Sequence, residues 1–468
     1  MSLQKIKHLL RNPYTQNFII GIEIGLTGGL YVALNLLGAA GGKPDSASTI
    51  NTANSVLCAC YAVSAFFGGT VLNKLGPAIT ACLGTVGYTL YIGSLWHFDQ
   101  YAVAAFPIFA AACLGISMSY SEENERGSFV AVSLNLQAVG SIIGGFIPLI
   151  INRNKATSAG VPVVVYAVFI AMDIVAAVLA FTLQPPGKVI RKDGTNIADL
   201  KPRTLMQELV GNFEALKDWK LWIMLPAFLP SQSYLVYGGS VNVYLNSLRA
   251  RSLLSFCAVT LQVFLAWGLR WLLDYQKFSR RTRALAGLTV VGVPLMAAWI
   301  WEVIRVRHYD RHRPPTDPTD WDEGRFAPVF ILFMLNWCAS ALFQYVIMYF
   351  LGCFTNNPRK AANNAGIFRA FLAVGEAVSF AVDSRKTKYV IEAGLILAFY
   401  AVGLLLMGYL AVFHIGESKY FQEEEVTIPE HVKLEHQHRL EATEGVDPAD
   451  KIEIGFESKS KKSVEVGP

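Results

Sequence analysis

The sequence predicts an all-α membrane protein with twelve transmembrane helices arranged in two six-helix halves. Three observations lead to this fold class: the apolar composition, the number and length of the apolar segments, and one polar segment that divides them equally. Of the 468 residues, 53% are hydrophobic and only 16% are charged, whereas charged residues make up about 25% of a typical soluble domain. The lipid bilayer is therefore the first partner that we expect for this chain.

The apolar segments have the length that a bilayer requires, which is about 20 largely apolar residues for each helix. The first half, residues 16–184, contains six such segments: 16–38, 52–73, 78–96, 101–120, 129–151 and 162–184. The second half, residues 220–412, contains the other six: 220–246, 253–273, 284–304, 328–352, 365–383 and 389–412.

Three polar segments complete the predicted organisation: residues 1–15, 185–219 and 413–468. The central one opens with Pro-Pro-Gly and then carries apolar residues at helical spacing, which predicts an amphipathic helix on the membrane surface. A plain surface linker helix is an equal alternative. The last segment is charged and poor in aromatic residues, which predicts a disordered tail. The short segments on the same side of the membrane as the N-terminus carry slightly more Lys and Arg than the loops on the opposite side. This excess predicts that all three polar segments are cytosolic.

Residue patterns for catalysis, metal binding or nucleic-acid binding are absent from the sequence. The seven cysteines lie in or beside apolar segments, and the sequence has no metal-ligand spacing, phosphate-binding loop or nucleophile elbow. The basic residues lie in separate short loops rather than in a run with interleaved aromatics. We therefore predict that the protein is not an enzyme and has no cofactor, no metal and no nucleic-acid partner.

Six plus six spans around a central cytosolic segment is the layout of the major facilitator architecture. Proteins of this architecture carry the pattern G-x-x-x-D-R-x-G-R between the second and third spans, where charges hold the two halves together. Here residues 68–77 are GGTVLNKLGP, in which Asn73 replaces the acid and Lys74 and Gly76 remain. The equivalent connection of the second half has the same order of acid and base, which indicates an internal duplication; its residues are Asp274, Arg280 and Arg281.

Several segments resemble the Unc-93-like family of this superfamily. In the first half the similar segments are YVALNLLGAAGG (31–42), the NKLGP turn that ends at residue 77, and MSYSEENERGSF (118–129). In the second half they are LNSLRARSL (245–253), SALFQYVIMYFLG (340–352) and AGIFRAFLAVGEA (365–377). The resemblance covers roughly residues 15 to 410 and implies a major facilitator fold. It also implies that a regulator or escort of other membrane proteins is an alternative to a transporter.

Polar residues within the predicted spans are candidates for a solute or proton site. If the first, seventh and tenth spans line a central cavity, as the architecture implies, their candidates are Glu23, Thr27, Tyr31, Asn35, Tyr237, Asn242 and Gln344. Glu23 lies too deep in its span to reach water outside the protein, because a carboxylate side chain is short. It is either a structural carboxylate paired within the bundle or a carboxylate that carries a proton or faces the solute.

Three charges recur at seven-residue spacing in the eleventh span: Arg369, Glu376 and Asp383. This spacing is nearly one helix face. Arg369 lies near the cytosolic end, matches a lysine of the family and is a further gating candidate. Asp383 is expected to be an interface charge beside Arg385 and Lys386, so Glu376 is the one carboxylate predicted at mid-membrane.

These observations predict a transporter of an unknown small solute that works by alternating access of two halves to a shared site. Proton coupling through Glu23 or Glu376 is a hypothesis that follows from carboxylates deep in apolar helices. The alternative is a non-transporting regulatory or escort subunit, whose partner would be another membrane protein such as a channel or receptor.

Overall fold

The structure, a computed structural model, describes residues 10–37, 46–65, 71, 74–122, 130–154, 161–184, 205–275, 277–313 and 315–416. Asn73, residues 185–204 of the central segment and the tail from residue 417 lie outside these ranges. Apart from Thr355–Pro358, which are assigned to a second unit, the described residues belong to one compact unit.

In the described part of the first half, seven helices have defined bounds, and the first two of them belong to the first predicted span, which is divided at Thr27. They are α1 (Pro13–Leu26), α2 (Gly28–Leu37), α3 (Ser46–Ser64), α4 (Pro77–Tyr101), α5 (Ala105–Glu122), α6 (Val130–Asn152) and α7 (Val163–Ala180).

The central segment contains one described helix, α8 (Leu205–Ala215), and the second half contains the rest. They are α9 (Trp219–Phe228), a 3₁₀ turn (Leu229–Gln232), α10 (Ser233–Leu245), α11 (Leu248–Leu273), α12 (Arg280–Val306), α13 (Phe326–Phe354), α14 (Pro358–Ser384) and α15 (Tyr389–Phe413). On α8 the exposed apolar residues Met206, Val210 and Phe213 recur at helical spacing, as an amphipathic helix requires. Whether α8 lies on the membrane stays a prediction.

Among the described residues, eight helices are long and apolar enough to cross a bilayer. They are Phe18–Leu37, Pro77–Tyr101, Val163–Ala180, Leu248–Leu273, Arg280–Val306, Phe326–Phe354, Asn363–Ser384 and Tyr389–Phe413. Two further apolar helices, Ala105–Met118 and Val139–Asn152, are shorter. The protein is thus an all-α, multi-pass membrane protein, and the count of twelve spans stays a prediction. α3 is rich in Ser, Thr and Asn, and the seventh predicted span is divided into shorter helices, so neither belongs to the eight.

Two prolines explain the division of the seventh span. Pro226 lies inside α9 and Pro230 lies in the 3₁₀ turn, and each removes one backbone N–H donor from the helical ladder. Carbonyl groups at the turn accept side-chain hydrogen bonds instead: Tyr400 Oη donates to Pro230 O at 3.0 Å and Gln344 Nε2 donates to Ser231 O at 2.7 Å. Irregular backbone inside a membrane protein is tolerated where such partners exist.

The outer surface of the helices carries large apolar side chains. On α11 the exposed residues include Phe264, Trp267 and Trp271, the last of them 87% exposed, and the spacing of these three places them on one helix face. An exposed face of this kind suits contact with lipid hydrocarbon rather than water.

The two halves contact each other through α2 with α10 and through α6 with α11. A Cβ at Gly145 of α6 would lie 3.1 Å from Phe256 Cα of α11, so this glycine allows the two helices to approach closely. We call the end of the bundle that carries residues 307–325 the loop end, and the end that carries Leu10 and Ile415 the terminal end.

Hydrogen bonds join the halves toward the loop end. Asn242 Nδ2 of α10 donates to Leu36 O of α2 at 3.2 Å. Ser48 Oγ of α3 donates to Ser384 O of α14 at 2.8 Å. These contacts hold the loop-end parts of the halves together and leave a cavity below them, toward the terminal end.

Candidate functional site

A cavity of about 190 Å³ lies between the two halves and is lined by residues of both. The first half contributes a wall that includes Tyr31, Cys58, Tyr61, Tyr88 and Met118. The second half contributes most of the polar groups, which are Gln232, Gln262, Gln344, Arg369 and Glu376, together with aromatic residues that include Tyr234, Trp337, Tyr345 and Phe368.

Four residues selected from the sequence line this cavity: Tyr31, Gln344, Arg369 and Glu376. The other solute or proton candidates are not among its lining residues; they are Glu23, Thr27, Asn35, Tyr237 and Asn242. The seven-residue spacing on α14 therefore places two opposite charges, Arg369 and Glu376, along one wall.

Glu376 is a buried carboxylate, only 6% exposed, at the point where α14 faces α3. The Cys58 thiol of α3 and the hydroxyl groups of Tyr31 and Tyr234 line the same cavity as this carboxyl group. A buried carboxylate that shares a cavity with a thiol and phenol groups can bind a cationic group or exchange a proton.

A hydrogen-bonded network within the first half holds Tyr31. Tyr31 Oη donates to Asn54 Oδ1 at 3.4 Å, and Tyr91 Oη donates to the same oxygen. Asn54 Nδ2 donates to Asn35 Oδ1 at 2.9 Å. Asn35 thus does not line the cavity but is linked through Asn54 to Tyr31, which does.

Glu23 lies inside the first half, between α1, α4 and α7, and its exposure is 2%. Thr85 Oγ1 of α4 donates to Glu23 Oε1 at 3.0 Å. Thr27 Oγ1 donates to Glu23 O, a backbone oxygen, at 2.9 Å. Of the two alternatives for Glu23, this position favours a carboxylate held within the bundle, and its role stays a prediction.

Tyr237 and Asn242 of α10 form hydrogen bonds outside the cavity. Tyr237 Oη donates to Glu302 Oε1 at 2.8 Å, and Arg305 Nη2 lies 2.6 Å from the same oxygen. Asn242 takes part in the contact between the halves and accepts from Asn246 Nδ2 at 2.9 Å.

The expectation that Asp383 is an interface charge beside Arg385 and Lys386 is wrong. Asp383 is 2% exposed and forms an ion pair with Arg311, while Asn51 of the first half donates to its other oxygen. The expectation fails because the connection 307–325 folds back over the loop end, where it brings a distant arginine to Asp383.

Arg311 is the centre of this loop-end cluster. Its Nη1 donates to Glu392 Oε1 at 2.7 Å and to Thr387 O at 2.8 Å, and its Nη2 donates to Ser240 Oγ at 2.7 Å. Its guanidinium group lies 4.2 Å from the ring centre of Tyr389. Burial alone would lower the pKa of Arg311, but the negative charges of Asp383 and Glu392 outweigh burial and raise it.

The gating candidates at the terminal end differ in exposure and in their contacts. Lys74 is exposed, and Gly76 adopts φ +78° just before α4, a conformation that favours glycine. Asp274 Oδ2 accepts from Arg270 Nε at 3.1 Å within the second half. Arg280 is half-buried and Arg281 is exposed. A contact between the halves through these residues stays a prediction.

Comparison with known proteins identifies the family, although no family model matches the chain. The sequence is 34% identical over 396 residues to an uncharacterized membrane protein of Schizosaccharomyces pombe, covering 81% of both chains. It is 26% identical over 395 residues to UNC93-like protein 1 of Arabidopsis thaliana, covering 81% of this chain and 86% of that one. The protein belongs to the Unc-93-like family.

Solved structures show the fold of this Unc-93-like protein. A nucleoside transporter, NupG, matches with a TM-score of 0.57 and 12% identity, over 85% of this chain and all of that one. A D-xylose–proton symporter matches with a TM-score of 0.54 and 14% identity, over 92% of this chain and all of that one. The fold is therefore that of the major facilitator superfamily, as the sequence predicts.

Sequence reasoning missed several groups that build the site of this Unc-93-like protein. The 3₁₀ turn contributes Gln232 to the cavity, and the two prolines spaced four residues apart could have predicted that break. Gln262 and Trp337 also line the cavity, and Trp337 Nε1 donates to Gln262 Oε1 at 2.8 Å. This pairing of α11 with α13 has no signal in the sequence.

Proposed function

We propose that this Unc-93-like protein transports a small solute by alternating access, with twelve spans in two halves and cytosolic termini. The observation that carries the proposal is the cavity of about 190 Å³ between the halves, whose wall combines residues of both. A site shared by two halves becomes accessible from one side or the other when the halves rock against each other.

The contacts between the halves correspond to one state of such a cycle, in which one end of the bundle is closed. The hydrogen bonds lie toward the loop end, where Asn242 Nδ2 donates to Leu36 O and Ser48 Oγ donates to Ser384 O. The cavity wall extends toward the terminal end, where Met118 and Met348 contribute to it. This arrangement corresponds to a transporter closed at the loop end, and the return to the other state requires these hydrogen bonds to break.

Proton coupling through Glu376 is the second element of the proposal. Among the described residues that line the cavity, Glu376 is the one carboxylate, so a proton and a cationic group of the solute would compete for it. Glu23 is separated from the cavity by its position within the first half, which makes Glu376 the better candidate.

The experiment is solute uptake by reconstituted protein. Proteoliposomes with an imposed pH gradient receive labelled alanine, uridine or xylose, one solute of each class at a time. We expect the wild type to accumulate at least one of them, and Glu376→Gln to lose at least tenfold of that rate. Glu214→Gln, which removes an exposed acid on α8, is the matched control and should transport like the wild type.

The outcomes separate the two parts of the proposal. Equal pH-driven rates for Glu376→Gln and the wild type would exclude proton coupling through Glu376 while transport stands. No uptake of any solute, together with stoichiometric co-purification of another membrane protein, would favour the regulatory or escort alternative.

A further inference from the structure

We propose that an anionic phospholipid binds at the terminal end of α11, with its acyl chain along the exposed face of this helix and its head group at the connection to α12. We call this surface, formed by residues 264–275 and 277–281, the lipid surface. Binding of this lipid would stand whether or not the protein transports a solute.

The apolar part of the lipid surface is one face of α11. Phe264, Trp267 and Trp271 are 70%, 66% and 87% exposed, and Trp271 is the most exposed of the large apolar side chains in the described part of the chain. Gly268 lies on the same face, and a Cβ added to it would meet no atom within 4 Å. The face is therefore recessed between the aromatic rings, and an acyl chain can lie along it.

The aromatic residues continue from α11 into the connection. Tyr275 and Phe278 are 45% and 44% exposed, and their rings are in a T-shaped arrangement with their centres 4.9 Å apart. Trp and Tyr are enriched where the hydrocarbon of a bilayer meets the head groups. The end of α11 thus has the composition of a helix end that lies at the level of the lipid head groups.

Positive charges adjoin these aromatic residues. Residues 270–283 contain one acid and five basic residues, which are Arg270, Lys277, Arg280, Arg281 and Arg283. Two of the five are engaged within the protein: Arg270 Nε lies 3.1 Å from Asp274 Oδ2, and Arg283 Nη1 donates to the backbone oxygen of the last residue of α11 at 3.1 Å. The side chains of Lys277 and Arg281 are exposed, so these two can reach a phosphate group at the bilayer surface.

The first turn of α12 adds to this positive potential. This helix begins at Arg280 and is 27 residues long, and the N-terminal end of a helix carries a partial positive charge. Ser279 Oγ accepts from Thr282 N at 3.1 Å, which fixes the start of the helix next to Lys277. An anionic head group at Lys277 and Arg281 would lie close to that helix end.

The equivalent connection of the first half has a different composition. Residues 65–77 are AFFGGTVLNKLGP, in which Lys74 is the one basic residue. The duplication of the two halves therefore does not account for the five basic residues within 270–283, and the positive charge is a property of the second half alone.

Charge and aromatic residues together favour an anionic lipid over the other partners of a basic surface. A soluble phosphate would be attracted by Lys277 and Arg281 but would gain nothing from the exposed rings of α11. A zwitterionic lipid would cover the rings but would gain little from the positive charge. An anionic phospholipid makes both kinds of contact, because it combines an acyl chain with a negative head group.

Lipid binding is measured on the purified full-length protein in detergent micelles by native mass spectrometry. The probes are dioleoyl phosphatidylserine and dioleoyl phosphatidylcholine, which have the same acyl chains and differ in net charge. We expect phosphatidylserine to bind at least tenfold more tightly. Glycerophosphoserine, which has the same head group without acyl chains, should not displace phosphatidylserine even at a hundredfold excess.

A double variant tests the charged part of the lipid surface. Lys277→Gln combined with Arg281→Gln should lower the affinity for phosphatidylserine at least fivefold and leave that for phosphatidylcholine unchanged. Arg307→Gln combined with Arg313→Gln is the matched control, because it removes two exposed positive charges at the loop end. It should leave both affinities as in the wild type.

A second double variant tests the apolar part. Trp267→Ala combined with Trp271→Ala should lower the affinity for phosphatidylserine at least threefold, because the acyl chain loses its contacts. Phe109→Ala combined with Phe181→Ala removes two exposed aromatic side chains of the first half and should not change this affinity.

Folding of each variant is checked by its thermal transition without added lipid, and Lys277→Arg combined with Arg281→Lys should retain the preference for phosphatidylserine. Equal wild-type affinities for the two lipids would overturn the proposal, as would an unchanged phosphatidylserine affinity after loss of Lys277 and Arg281. Displacement by glycerophosphoserine would indicate a site for soluble anions instead. Equal losses in the two charge variants would mean that net charge, and not the lipid surface, attracts the lipid.

Discussion

Asp173 and Asp383 are two buried aspartates in opposite halves, and they are stabilised in different ways. Asp173 is 0% exposed and Asp383 is 2% exposed. Asp383 contacts Arg311 and Asn51, whereas Asp173 Oδ2 has one hydroxyl donor, Thr89 Oγ1 at 3.4 Å, and its Oδ1 has no hydrogen-bond partner in the structure. The comparison shows that two aspartates with nearly equal burial can have very different electrostatic partners.

The difference has consequences for stability and for the proposed alternating access. The Asp383 cluster contains a cation, Arg311, and one hydrogen bond from the opposite half through Asn51, so it both holds the connection 307–325 and closes the loop end. The Asp173 contacts stay within the first half, on α4 and α7. Changes at Asp383 should therefore affect stability and closure, while changes at Asp173 should have little effect on either.

The largest expected effect follows from removing the cation. Arg311→Gln leaves two buried carboxylates, Asp383 and Glu392, without their shared partner, and breaking a buried pair costs about 3–5 kcal/mol. The thermal transition of the purified protein should fall clearly below that of the wild type. Arg325→Gln removes another arginine of the same connection, whose ion pairs are exposed, and should change little. Equal transitions for both variants would contradict the comparison.

A smaller effect should separate the two aspartates directly. Asp383→Asn removes a charged acceptor from Arg311 and should cost about 2 kcal/mol. Asp173→Asn should change stability by less than about 1 kcal/mol, because no described contact of Asp173 is with a cation. Both are measured as the free energy of unfolding in the same mixed micelles. A loss for Asp173→Asn as large as that for Asp383→Asn would contradict the comparison, because the two carboxylates would then contribute equally to stability.

The smallest effect concerns a third aspartate, Asp320, which lies in the connection 307–325 outside the spans. Burial by itself would raise its pKa, but hydrogen bonds from Arg249 at 2.7 Å, Ser247 at 2.7 Å and Trp321 N at 2.9 Å outweigh burial and lower the pKa of Asp320. A carboxyl group with a lowered folded pKa stabilises the fold above its unfolded pKa, about 3.9. This contribution is lost as the pH falls from there through the folded pKa.

The measurement is the difference in thermal stability between the wild type and Asp320→Asn at several pH values. The difference should be constant from neutral pH to about pH 5 and should shrink below about pH 4. A difference that does not change over this acidic range would exclude the contribution of the ionised Asp320 carboxylate.

The sequence by itself determined that this is an all-α protein of the membrane, because apolar composition and segment length are local properties that the bilayer selects directly. It also indicated Tyr31, Gln344 and Glu376 as solute or proton candidates and Arg369 as a gating candidate, since polar residues inside apolar helices are costly and therefore conspicuous. The family resemblance implied the major facilitator fold, which the relatives and the solved structures confirm.

Only the tertiary structure decided which neighbour each polar residue meets. Glu23 contacts Thr85 within the first half, Trp337 contacts Gln262, and Arg311 reaches Asp383 from a connection 72 residues away in sequence. Helical periodicity places a side chain on a face of its own helix, but the orientation of that face depends on packing between segments that are distant in sequence. For that reason Asp383, which the sequence predicts as a charge at the membrane interface beside Arg385 and Lys386, forms a buried ion pair with Arg311 instead.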